Sequence, residues 1–545
     1  MKVLLINPIK EGDYTIGLSI GQLASYLEQF GHSVETELVS LESDFSKFVD
    51  KVIQEKYPII GVSLGFYNSL DFALTFIKLL KGVGIKSHIV VGGHCATNSW
   101  KEIMENCPQI DTLVMCEGEE TLKELIDNLD KPENWGSIKG LVWKDKGEIK
   151  VNPPRKLITE LEALPFPKRK IYPIKDYPKL KAAGMEELTE TTKLADMSNF
   201  NIMTSRGCYG YCSFCSIYKF YGRSYRRSRS ITNVVDEISF LVKEHSAKIF
   251  SFCDDNFFAQ DREEKEKWCY KFVEELEKRK LNILFYFQCR PNDIDYSLFH
   301  FLQNHGLYFV FVGTESFIPR TLKLFRKGIS VKQNFLAAEI LKKLGIMYEL
   351  GLIIFEPYTT LEEFKQSINI CKQLYNEYNY FAPMRLERLR VYAGTDIWYK
   401  LQEEKRLNGD LLRGYDYEII DWRVEKIYRI LTNAIAPFRI TEPETLTPPH
   451  FVTLSPLSVM PYLKSLPGIK SNGEYYYIPE LEMKKIFYLS GTSLLNIIEK
   501  LIVKLERCNL EDSHILKSIE KEIIEDYTNA TKEIGKEIKK QLVKW

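Results

Sequence analysis

The sequence lacks an excess of charge of either sign, because 74 Lys and Arg residues balance 74 Asp and Glu residues in a chain of 545. Without net charge, the chain has no long-range field to favour nucleic acid or an acidic membrane surface. No apolar run approaches the ~18 residues of a membrane-spanning helix. The apolar part of the first segment, MKVLLINPIKEGDY, is too short for a signal peptide. These absences predict a cytoplasmic protein with no membrane span and no nucleic-acid partner.

The sequence also lacks the signatures of several common classes of protein. It has no Gly-rich kinase loop, no Ser/His/Asp hydrolase pattern and no internal repeat. Cysteine occurs eleven times, but an odd and mostly scattered set in a chain without a signal peptide argues against a disulfide framework. Eight of these cysteines are scattered, and we expect them to be small buried hydrophobic residues: Cys95, Cys107, Cys116, Cys253, Cys269, Cys289, Cys371 and Cys508.

What is present is an alternation of strands and helices, in a chain long enough for about three domains of ~150 residues. In residues 1–132 the alternation predicts an α/β domain of the Rossmann type, with a parallel sheet covered by helices on both faces. Ligands of such sheets bind at the carboxyl ends of the strands. The loops there, SLGFYNS, GGHCATN and CEGEE, are rich in Gly and small polar residues. They are either a cradle for a large ligand or only tight turns.

The remaining chain divides by composition and period. Residues 133–195 are proline-rich without a sustained period, which predicts a connector. Residues 196–400 return to alternation, including a strand over 284–289 and helices over 231–245 and 331–344, and polar residues follow the strands. This pattern predicts a partial (β/α) barrel with its site at the strand carboxyl ends. Residues 401–545 are rich in Lys and Glu, with helical segments over 494–506 and 515–542, and predict a mostly helical domain that caps the site.

The segment SRGCYGYCSFC brings three cysteines together as C-x3-C-x2-C, at Cys208, Cys212 and Cys215. A cubane iron–sulfur cluster is normally held by four thiolates. Three thiolates leave one iron with an open coordination position, which is how catalytic metal sites bind substrate. The alternative, a structural zinc site, needs a fourth ligand, and no His or further Cys lies nearby. The spacing therefore favours a catalytic [4Fe–4S] cluster.

This loop resembles the C-x3-C-x-aromatic-C signature of radical S-adenosylmethionine (SAM) enzymes, with Phe214 as the aromatic residue. The segments RSITNVVDEISFLVKEHSAKIFSFCDDNFF, GTESFIPRTLKLFRKGIS and LGIMYELGLIIFEPYTTLEEF resemble the subgroup that carries an N-terminal cobalamin-binding domain. VVGGHCATN and VMCEGEETLKELI resemble that domain itself. The resemblance covers roughly residues 1–400. It implies a [4Fe–4S] cluster, SAM as the missing ligand of the unique iron, cobalamin, and an electron donor such as flavodoxin or ferredoxin.

The resemblance also implies cofactor contacts for individual residues. For SAM, Asp254 would meet the amino group, Arg290 the carboxylate, Glu315 the ribose hydroxyls or the amine, and Gly351 the adenine. The structural alternatives are a turn or helix cap for Asp254, an ion pair for Arg290 and simple packing for Gly351. The candidate cobalamin contacts are Ser63, Leu64, Gly65, Gly92, Gly93, His94, Glu117, Gly118 and Glu119.

Two features qualify these assignments. Many cobalamin domains carry D-x-H-x-x-G after the first strand, whereas NPIKEGDYTIG has Asp13 and Gly17 but no His. Histidine is therefore not the expected lower ligand of cobalt, and we expect His94 to contact cobalamin without binding cobalt. The stretch YGRSYRRSRS holds Arg223, Arg226, Arg227 and Arg229. We expect it to be a solvated, salt-bridged entry to the next helix, with an acidic substrate or partner as the alternative.

The resemblance implies a cobalamin-dependent radical SAM enzyme. In that family, reductive cleavage of SAM gives a 5′-deoxyadenosyl radical that abstracts a hydrogen from the substrate, and the subgroup most often transfers a methyl group from methylcobalamin to carbon. Three alternatives remain: a non-methylating rearrangement or cyclisation with the same cofactors, a radical SAM enzyme without functional cobalamin, and a cluster-bearing binding or sensory module. The expected substrate is a small molecule or a peptide.

Overall fold

The computed structural model describes residues 1–8, 18–39, 45–65, 70–169, 199–222, 224–378, 380, 385–412, 414–438, 445–446, 476–507 and 513–544. The chain forms two compact units. Unit 1 comprises Met1–Pro173, Phe214–Arg229 and Val391–Asp416, and unit 2 comprises Ile174–Ser213, Ser230–Arg390 and Tyr417–Trp545.

The strands, in chain order, are β1 (Lys2–Pro8), β2 (Ser33–Val39), β3 (Ile59–Ser63), β4 (His88–Gly92), β5 (Thr112–Val114), β6 (Leu141–Asp145), β7 (Glu148–Val151), β8 (Asn199–Ile202), β9 (Ser205–Arg206), β10 (Arg227–Ser228), β11 (Ile249–Phe252), β12 (Leu284–Cys289), β13 (Leu307–Glu315), β14 (Met347–Phe355), β15 (Leu386–Arg388), β16 (Asn408–Asp410), β17 (Gly414–Asp416), β18 (Thr445–Leu446), β19 (Tyr476–Tyr477) and β20 (Val543–Lys544).

The helices, in chain order, are α1 (Leu18–Glu28), α2 (Phe45–Glu55), α3 (Leu70–Gly82), α4 (His94–Asn98), α5 (Trp100–Asn106), α6 (Glu119–Asp127), α7 (Ile217–Phe220), α8 (Ile231–His245), α9 (Arg262–Lys278), α10 (Tyr296–Gln303), α11 (Pro319–Leu324), α12 (Val331–Leu344), α13 (Leu361–Glu377), α14 (Asp396–Glu403), α15 (Trp422–Ile435), α16 (Glu480–Arg507) and α17 (Ser513–Gln541).

Unit 1 is built on a seven-stranded sheet in the order β2-β1-β3-β4-β5-β6-β7. Its first five strands are parallel, and β6 and β7 pair antiparallel. Successive side chains of β1 point to opposite faces: Val3 and Leu5 join the core with α1 and α6, and Leu4 and Ile6 join the core with α2 and α3. The predicted parallel sheet with helices on both faces is therefore confirmed.

The hairpin of β6 and β7 lies within residues 133–195, for which the sequence predicts a connector. Its strands have only five and four residues, which is too short for a period of two to stand out. Leu141 and Val142 are buried nonetheless. The register pairs Leu141 with Val114 at the edge of the parallel sheet.

Unit 2 is built on a second seven-stranded sheet in the order β18-β15-β14-β13-β12-β11-β8. The strands from β8 to β15 are parallel, and β18 is an antiparallel edge. Along β13, Val310 and Val312 are buried, whereas Phe309, Phe311 and Glu315 are only half-buried. One face of the sheet is thus closed and the other partly open, as expected for a partial (β/α) barrel.

Several helices of unit 2 begin at side-chain caps. Ser230 accepts a hydrogen bond from the Asn233 N–H at the start of α8, and Ser330 forms a capping box with Gln333 at the start of α12. These contacts satisfy amide groups that a helix leaves without partners. Gly345, in the left-handed conformation with φ +70°, ends α12. Local sequence therefore fixes both ends of this helix.

The described part of residues 401–545 is mostly helical, in agreement with the sequence prediction. Helix α16 is long and apolar enough to cross a membrane by length and composition, although the sequence analysis expected no such span. Of its most apolar window, 56% is buried inside the fold, as in the core helix of a globular domain.

The expectation that the scattered cysteines are buried holds for five of them: Cys95, Cys107, Cys269, Cys289 and Cys371. Cys116 is half-buried and Cys253 is exposed, so the expectation is wrong at Cys253. This residue directly follows the last residue of β11, where the chain leaves the sheet. Cys508 lies outside the described residues.

Candidate functional site

The cysteine loop follows the first strand of the unit 2 sheet, and N–H donors meet two of its sulfur atoms. The Gly210 N–H donates to Cys208 Sγ at 3.2 Å, and Arg290 Nη1 donates to Cys212 Sγ at 3.6 Å. A Cβ at Gly210 would lie 2.7 Å from Arg290 Nη1 and 3.3 Å from Cys208 Sγ. Only glycine fits here without moving these groups. Donors directed at sulfur suit metal-bound thiolates, so the donor set fits an iron–sulfur cluster.

The protonation of Cys208 is consistent with a site that needs a metal to ionise it. Burial raises the pKa of the Cys208 thiol, and the positive charge of Arg290 acts in the opposite direction. Metal coordination deprotonates a thiol outright.

The third cysteine, Cys215, is half-buried and so is Phe214; both belong to unit 1.

No three His, Cys, Asp or Glu side chains surround a single metal-ion position in the part of the chain that the structure describes. In a cubane cluster each cysteine binds a different iron. The predicted cluster therefore does not need three sulfur atoms around one point.

Arg290 follows β12 and is held from several sides. Its side chain is buried, its Nη2 donates to the Lys327 carbonyl, and its guanidinium lies 5.4 Å from the centre of the Tyr209 ring. The Tyr209 hydroxyl donates in turn to Asp293 Oδ1 at 2.8 Å. Arg290 is thus packed against Tyr209 and Cys212 of the cysteine loop. Its predicted contact with the SAM carboxylate stays a prediction.

Asp254 follows β11 and is fully buried. Its carboxylate accepts hydrogen bonds from the Thr204 hydroxyl at 2.7 Å and from the Ser205 hydroxyl. Next to it, Asp255 Oδ2 accepts from the Gly207 N–H at 2.9 Å. The two carboxylates therefore anchor the chain just before the cysteine loop, which matches the turn alternative for Asp254. A contact of Asp254 with the SAM amino group stays a prediction.

Glu315 ends β13 in the left-handed conformation, with φ +60°. A residue other than glycine in that conformation is strained by roughly 1–2 kcal/mol, and such strain often occurs at functional sites. Its Oε1 accepts from Lys327 Nζ at 2.8 Å. Burial disfavours the charged form of Lys327, but the negative charges of Glu315 and Cys212 together outweigh this and the pKa of Lys327 is raised.

Gly351 lies in β14, on the half-open face beside Glu315. A Cβ there would lie 2.9 Å from the Phe311 ring and 3.6 Å from Glu315 Oε2. Glycine therefore lets Phe311 of the neighbouring strand pack directly on the β14 backbone. This contact supports the packing alternative for Gly351, and the adenine contact stays a prediction.

The same face carries acidic residues that the sequence analysis did not identify. Arg385 donates to Glu349, its Nη1 lies 4.0 Å from Glu387 Oε1, and its guanidinium lies 5.8 Å from the centre of the Phe311 ring. Burial raises the pKa of Glu349 and of Glu387, although Arg385 acts against both shifts. In YELGL and RLERL, the side chains of Glu349, Arg385 and Glu387 alternate with those of leucine, which places them on one face of their strands. This alternation is the sequence signal that could have identified the acidic set.

In unit 1 the nine candidate cobalamin contacts lie at or just after the carboxyl ends of β3, β4 and β5, which are neighbours in the sheet. The structure thus gathers them at one sheet edge. Six are half-buried: Ser63, Gly65, Gly92, Gly93, His94 and Gly118. Three are buried: Leu64, Glu117 and Glu119.

The loops after β3 and β4 contact each other through their backbones. The Leu64 N–H donates to the Gly92 carbonyl at 2.7 Å. Gly93 has φ +113°, and a Cβ there would lie 2.9 Å from the Leu64 carbonyl oxygen. Position 93 therefore requires glycine for its conformation and for the close approach of the two loops. Gly65 is different, because among the described residues a Cβ at that position would have only Ser63 Oγ within 4 Å, at 3.7 Å.

His94 begins α4, and its ring stacks on Phe220 with centroids 4.0 Å apart. Burial lowers the pKa of His94 to about 4, so the imidazole is neutral near pH 7. Its buried Nε2 has no hydrogen-bond partner among the residues that the structure describes. Residues 9–17, where Asp13 and Gly17 stand in place of the usual histidine motif, lie outside that part of the chain.

Glu117 already has partners within unit 1. Its Oε2 accepts from Arg227 Nη1 at 2.9 Å and from the Ile158 N–H at 2.7 Å. Arg227 is buried, so the expected solvated arginine stretch is wrong at this position, although its salt-bridged character is right. A buried ionic partner offsets the cost of removing Arg227 from water. Arg223 lies outside the described residues.

Comparison with protein families gives two matches on this chain. Residues 10–126 match the B12 binding domain, and residues 202–371 match the radical SAM superfamily. The first match contains the nine cobalamin candidates, and the second contains the three cysteines.

Individual relatives agree with these matches. An uncharacterized methyltransferase of Pyrococcus horikoshii is 30% identical over 73% of this chain and 82% of its own length. An anaerobic magnesium-protoporphyrin IX monomethyl ester cyclase of Rubrivivax gelatinosus is 28% identical, over 67% of this chain and 64% of its own length. A hopanoid C-3 methylase of Methylococcus capsulatus is 24% identical, over 78% of this chain and 73% of its own length.

Solved structures share the fold. The cobalamin-dependent S-adenosylmethionine radical enzyme OxsB, with aqua-cobalamin bound, aligns with a TM-score of 0.68 at 18% identity, over 99% of this chain and 80% of that chain. The radical S-adenosylmethionine methyltransferase TsrM from Kitasatospora setae, with cobalamin and a [4Fe-4S] cluster bound, aligns with a TM-score of 0.58 at 16% identity, over 97% of this chain and 99% of that chain. Together with the sequence matches, this fold shows that the chain belongs to the radical SAM enzymes that carry a B12-binding domain.

Proposed function

We propose that this protein is a cobalamin-dependent radical SAM enzyme that reductively cleaves SAM at a [4Fe–4S] cluster and transfers a methyl group from methylcobalamin to carbon. The observation that carries the proposal is the cysteine loop, in which N–H donors are directed at Cys208 Sγ and Cys212 Sγ. The bound cofactors supply one-electron cleavage, hydrogen abstraction and methyl transfer, and the chain supplies binding and orientation.

The three cysteines take the role of iron ligands in this proposal. Gly210 and Arg290 donate to two of their sulfur atoms, and Phe214 stands between the second and third cysteine in the sequence. Asp254 and Asp255 hold the chain that leads into the loop. We assign SAM to the half-open face of the unit 2 sheet, where Asp254, Arg290, Glu315 and Gly351 are the proposed contacts.

For cobalamin we propose the carboxyl edge of β3, β4 and β5. The half-buried glycines there let a bulky ligand approach the backbone, and Ser63 offers a hydroxyl. His94 is neutral, and its Nε2 has no partner in the described part of the chain, so it suits hydrogen bonding to the ligand. Leu64, Glu117 and Glu119 are buried and would stabilise the conformation of these loops.

Methyl transfer is the reaction we favour, because methyltransferases and a methylase occur among the relatives. The cyclase of Rubrivivax gelatinosus is the observation that favours a second candidate, a cyclisation or rearrangement with the same cofactors. A small-molecule or peptide substrate is consistent with either reaction. We infer that residues 401–545 contribute to substrate selection, since the radical SAM match ends at residue 371.

We also propose a cytoplasmic location and a flavodoxin or ferredoxin as the electron donor. No disulfide joins any of the ten cysteines among the described residues, as expected in a reducing compartment. A low-potential one-electron donor is needed because the cluster must be reduced before each cleavage.

Anaerobic reconstitution with iron, sulfide and hydroxocobalamin tests the proposed function. We expect about four iron and four sulfide per chain, a corrinoid absorption band, and 5′-deoxyadenosine when reductant and SAM are added. SAM labelled in its methyl group should transfer the label to bound cobalamin without any substrate. Zinc in place of iron would refute the proposal, and missing corrinoid would leave a radical SAM enzyme without cobalamin. Absence of label transfer with normal 5′-deoxyadenosine would favour the rearrangement.

Replacement of Glu315 by glutamine is expected to weaken SAM binding by about tenfold or more. A hydrogen bond to a charged group contributes roughly 1.5–3 kcal/mol, and 1.4 kcal/mol is a factor of ten in affinity. The measurement is the SAM dissociation constant of the reconstituted protein by equilibrium dialysis. Glu339→Gln is the control, because Glu339 pairs with Lys343 on an exposed turn of α12. Equal affinity of the Glu315→Gln variant and the wild type would remove Glu315 from the SAM site.

A further inference from the structure

Arg290 is a buried cation with a sulfur atom as a neighbour. The residue is 7% exposed, and its Nη1 lies 3.6 Å from Cys212 Sγ. A guanidinium keeps its positive charge at any physiological pH. Within the described residues it forms no ion pair with a carboxylate: Asp293 Oδ2 accepts from its backbone N–H at 3.2 Å instead. When Cys212 binds iron as a thiolate, its sulfur would therefore be an anionic partner for this cation.

The contacts of Arg290 keep the guanidinium in this place. Nη2 donates to the Lys327 carbonyl, and the face of the group lies over the Tyr209 ring. The missing side chain at Gly210 leaves room for Nη1, since a Cβ there would lie 2.7 Å away. Nε is buried and has no hydrogen-bond partner in the described part of the chain, so its N–H is still available to an acceptor.

We propose that Arg290 raises the reduction potential of the cluster through Cys212, a role that rests on the proposed function of the cysteine loop. Reduction adds one electron from the external donor to the cluster and makes it more negative, with no bond broken and no proton moved. A fixed positive charge that donates a hydrogen bond to a ligating sulfur stabilises the reduced form more than the oxidised form. Arg290 is thus a positioning residue that acts through a ligand of the cluster.

The role differs from pairing with the SAM carboxylate, because it exists before SAM binds. Nη1 and Nη2 each already donate one N–H, to Cys212 Sγ and to the Lys327 carbonyl, so the SAM carboxylate would have to use the N–H groups that remain. A measurement on the reconstituted cluster without SAM therefore isolates the proposed effect.

The test is the midpoint potential of the reconstituted cluster, measured by redox titration with electron paramagnetic resonance in the absence of SAM. For Arg290→Gln we expect the ratio of reduced to oxidised cluster at a fixed solution potential to fall about tenfold, which is about 59 mV for one electron. Arg290→Lys keeps the charge but not the planar fork, so its potential should fall by less. The control is Arg326→Gln, which removes an arginine that contacts the Tyr211 ring at 4.7 Å, and it should match the wild type.

The possible outcomes separate this inference from the proposed function. If the wild type binds no iron and sulfide, the proposed function fails first. If Arg290→Gln binds a full cluster with an unchanged potential, the inference is overturned and the function stands. If Arg290→Gln loses its cluster, Arg290→Lys decides: a lowered potential supports the role, and an unchanged one refutes it. An equal shift in Arg326→Gln would point to general charge and would also overturn the inference.

Discussion

Replacement of Cys212 by alanine is expected to abolish 5′-deoxyadenosine formation, lowering its rate by at least about 10³-fold. Cys212 is the buried member of the loop and the one that contacts Arg290. In the proposed site, loss of this thiolate would leave two protein ligands for the cluster and would disrupt the position at which SAM is proposed to bind. The measurements are iron and sulfide content and the formation of 5′-deoxyadenosine after anaerobic reconstitution.

The matched control is Cys253→Ala, which removes an exposed thiol outside the loop. This variant should keep the cluster and the activity of the wild type. Full turnover in Cys212→Ala would exclude the cluster assignment, whereas equal losses in both variants would indicate general damage to the fold.

Replacement of Gly93 by alanine is expected to lower the free energy of unfolding of unit 1 by about 2–4 kcal/mol and to prevent cobalamin binding. The conformation at φ +113° is strained for any residue with a Cβ. The added methyl group would also lie 2.9 Å from the Leu64 carbonyl oxygen, so the loops after β3 and β4 would have to separate. Chemical denaturation and the corrinoid absorption of the reconstituted protein measure the two effects.

Gly65→Ala provides the comparison on the neighbouring loop. In the part of the chain that the structure describes, its Cβ would contact only Ser63 Oγ, at 3.7 Å, so stability should change by less than about 1 kcal/mol. If cobalamin binds at this edge, the methyl group should still weaken corrinoid binding. Normal corrinoid content in both variants would contradict the proposed location of the cobalamin site.

The sequence predicted those elements whose ends are determined locally. Helix α12 and strand β12 have the predicted bounds, 331–344 and 284–289. For α12 the reason is a capping box at Ser330 and a left-handed Gly345. The hairpin of β6 and β7 was not predicted, because strands this short show no period and owe their place to the edge of a sheet formed elsewhere in the chain.

The candidate site was predictable only as far as a motif identifies its residues. The spacing of the three cysteines indicates a cluster ligand set without any structure. The contact of Arg290 with Cys212 joins residues 78 positions apart, and the ion pair of Arg227 with Glu117 joins residues 110 positions apart. Neither distance follows from local sequence, because folding alone brings these groups together. The acidic set around Arg385 was missed for the same reason.

The closeness of position 210 to the guanidinium has a consequence for the evolution of such loops. Any side chain at position 210 would displace the arginine at position 290, because its Cβ would lie only 2.7 Å from Arg290 Nη1. The two positions should therefore covary among homologous chains, with glycine at the first accompanying arginine at the second. If Arg290 raises the reduction potential of the cluster as proposed, enzymes without this glycine and arginine would need another positive charge near the cluster to reach the same potential.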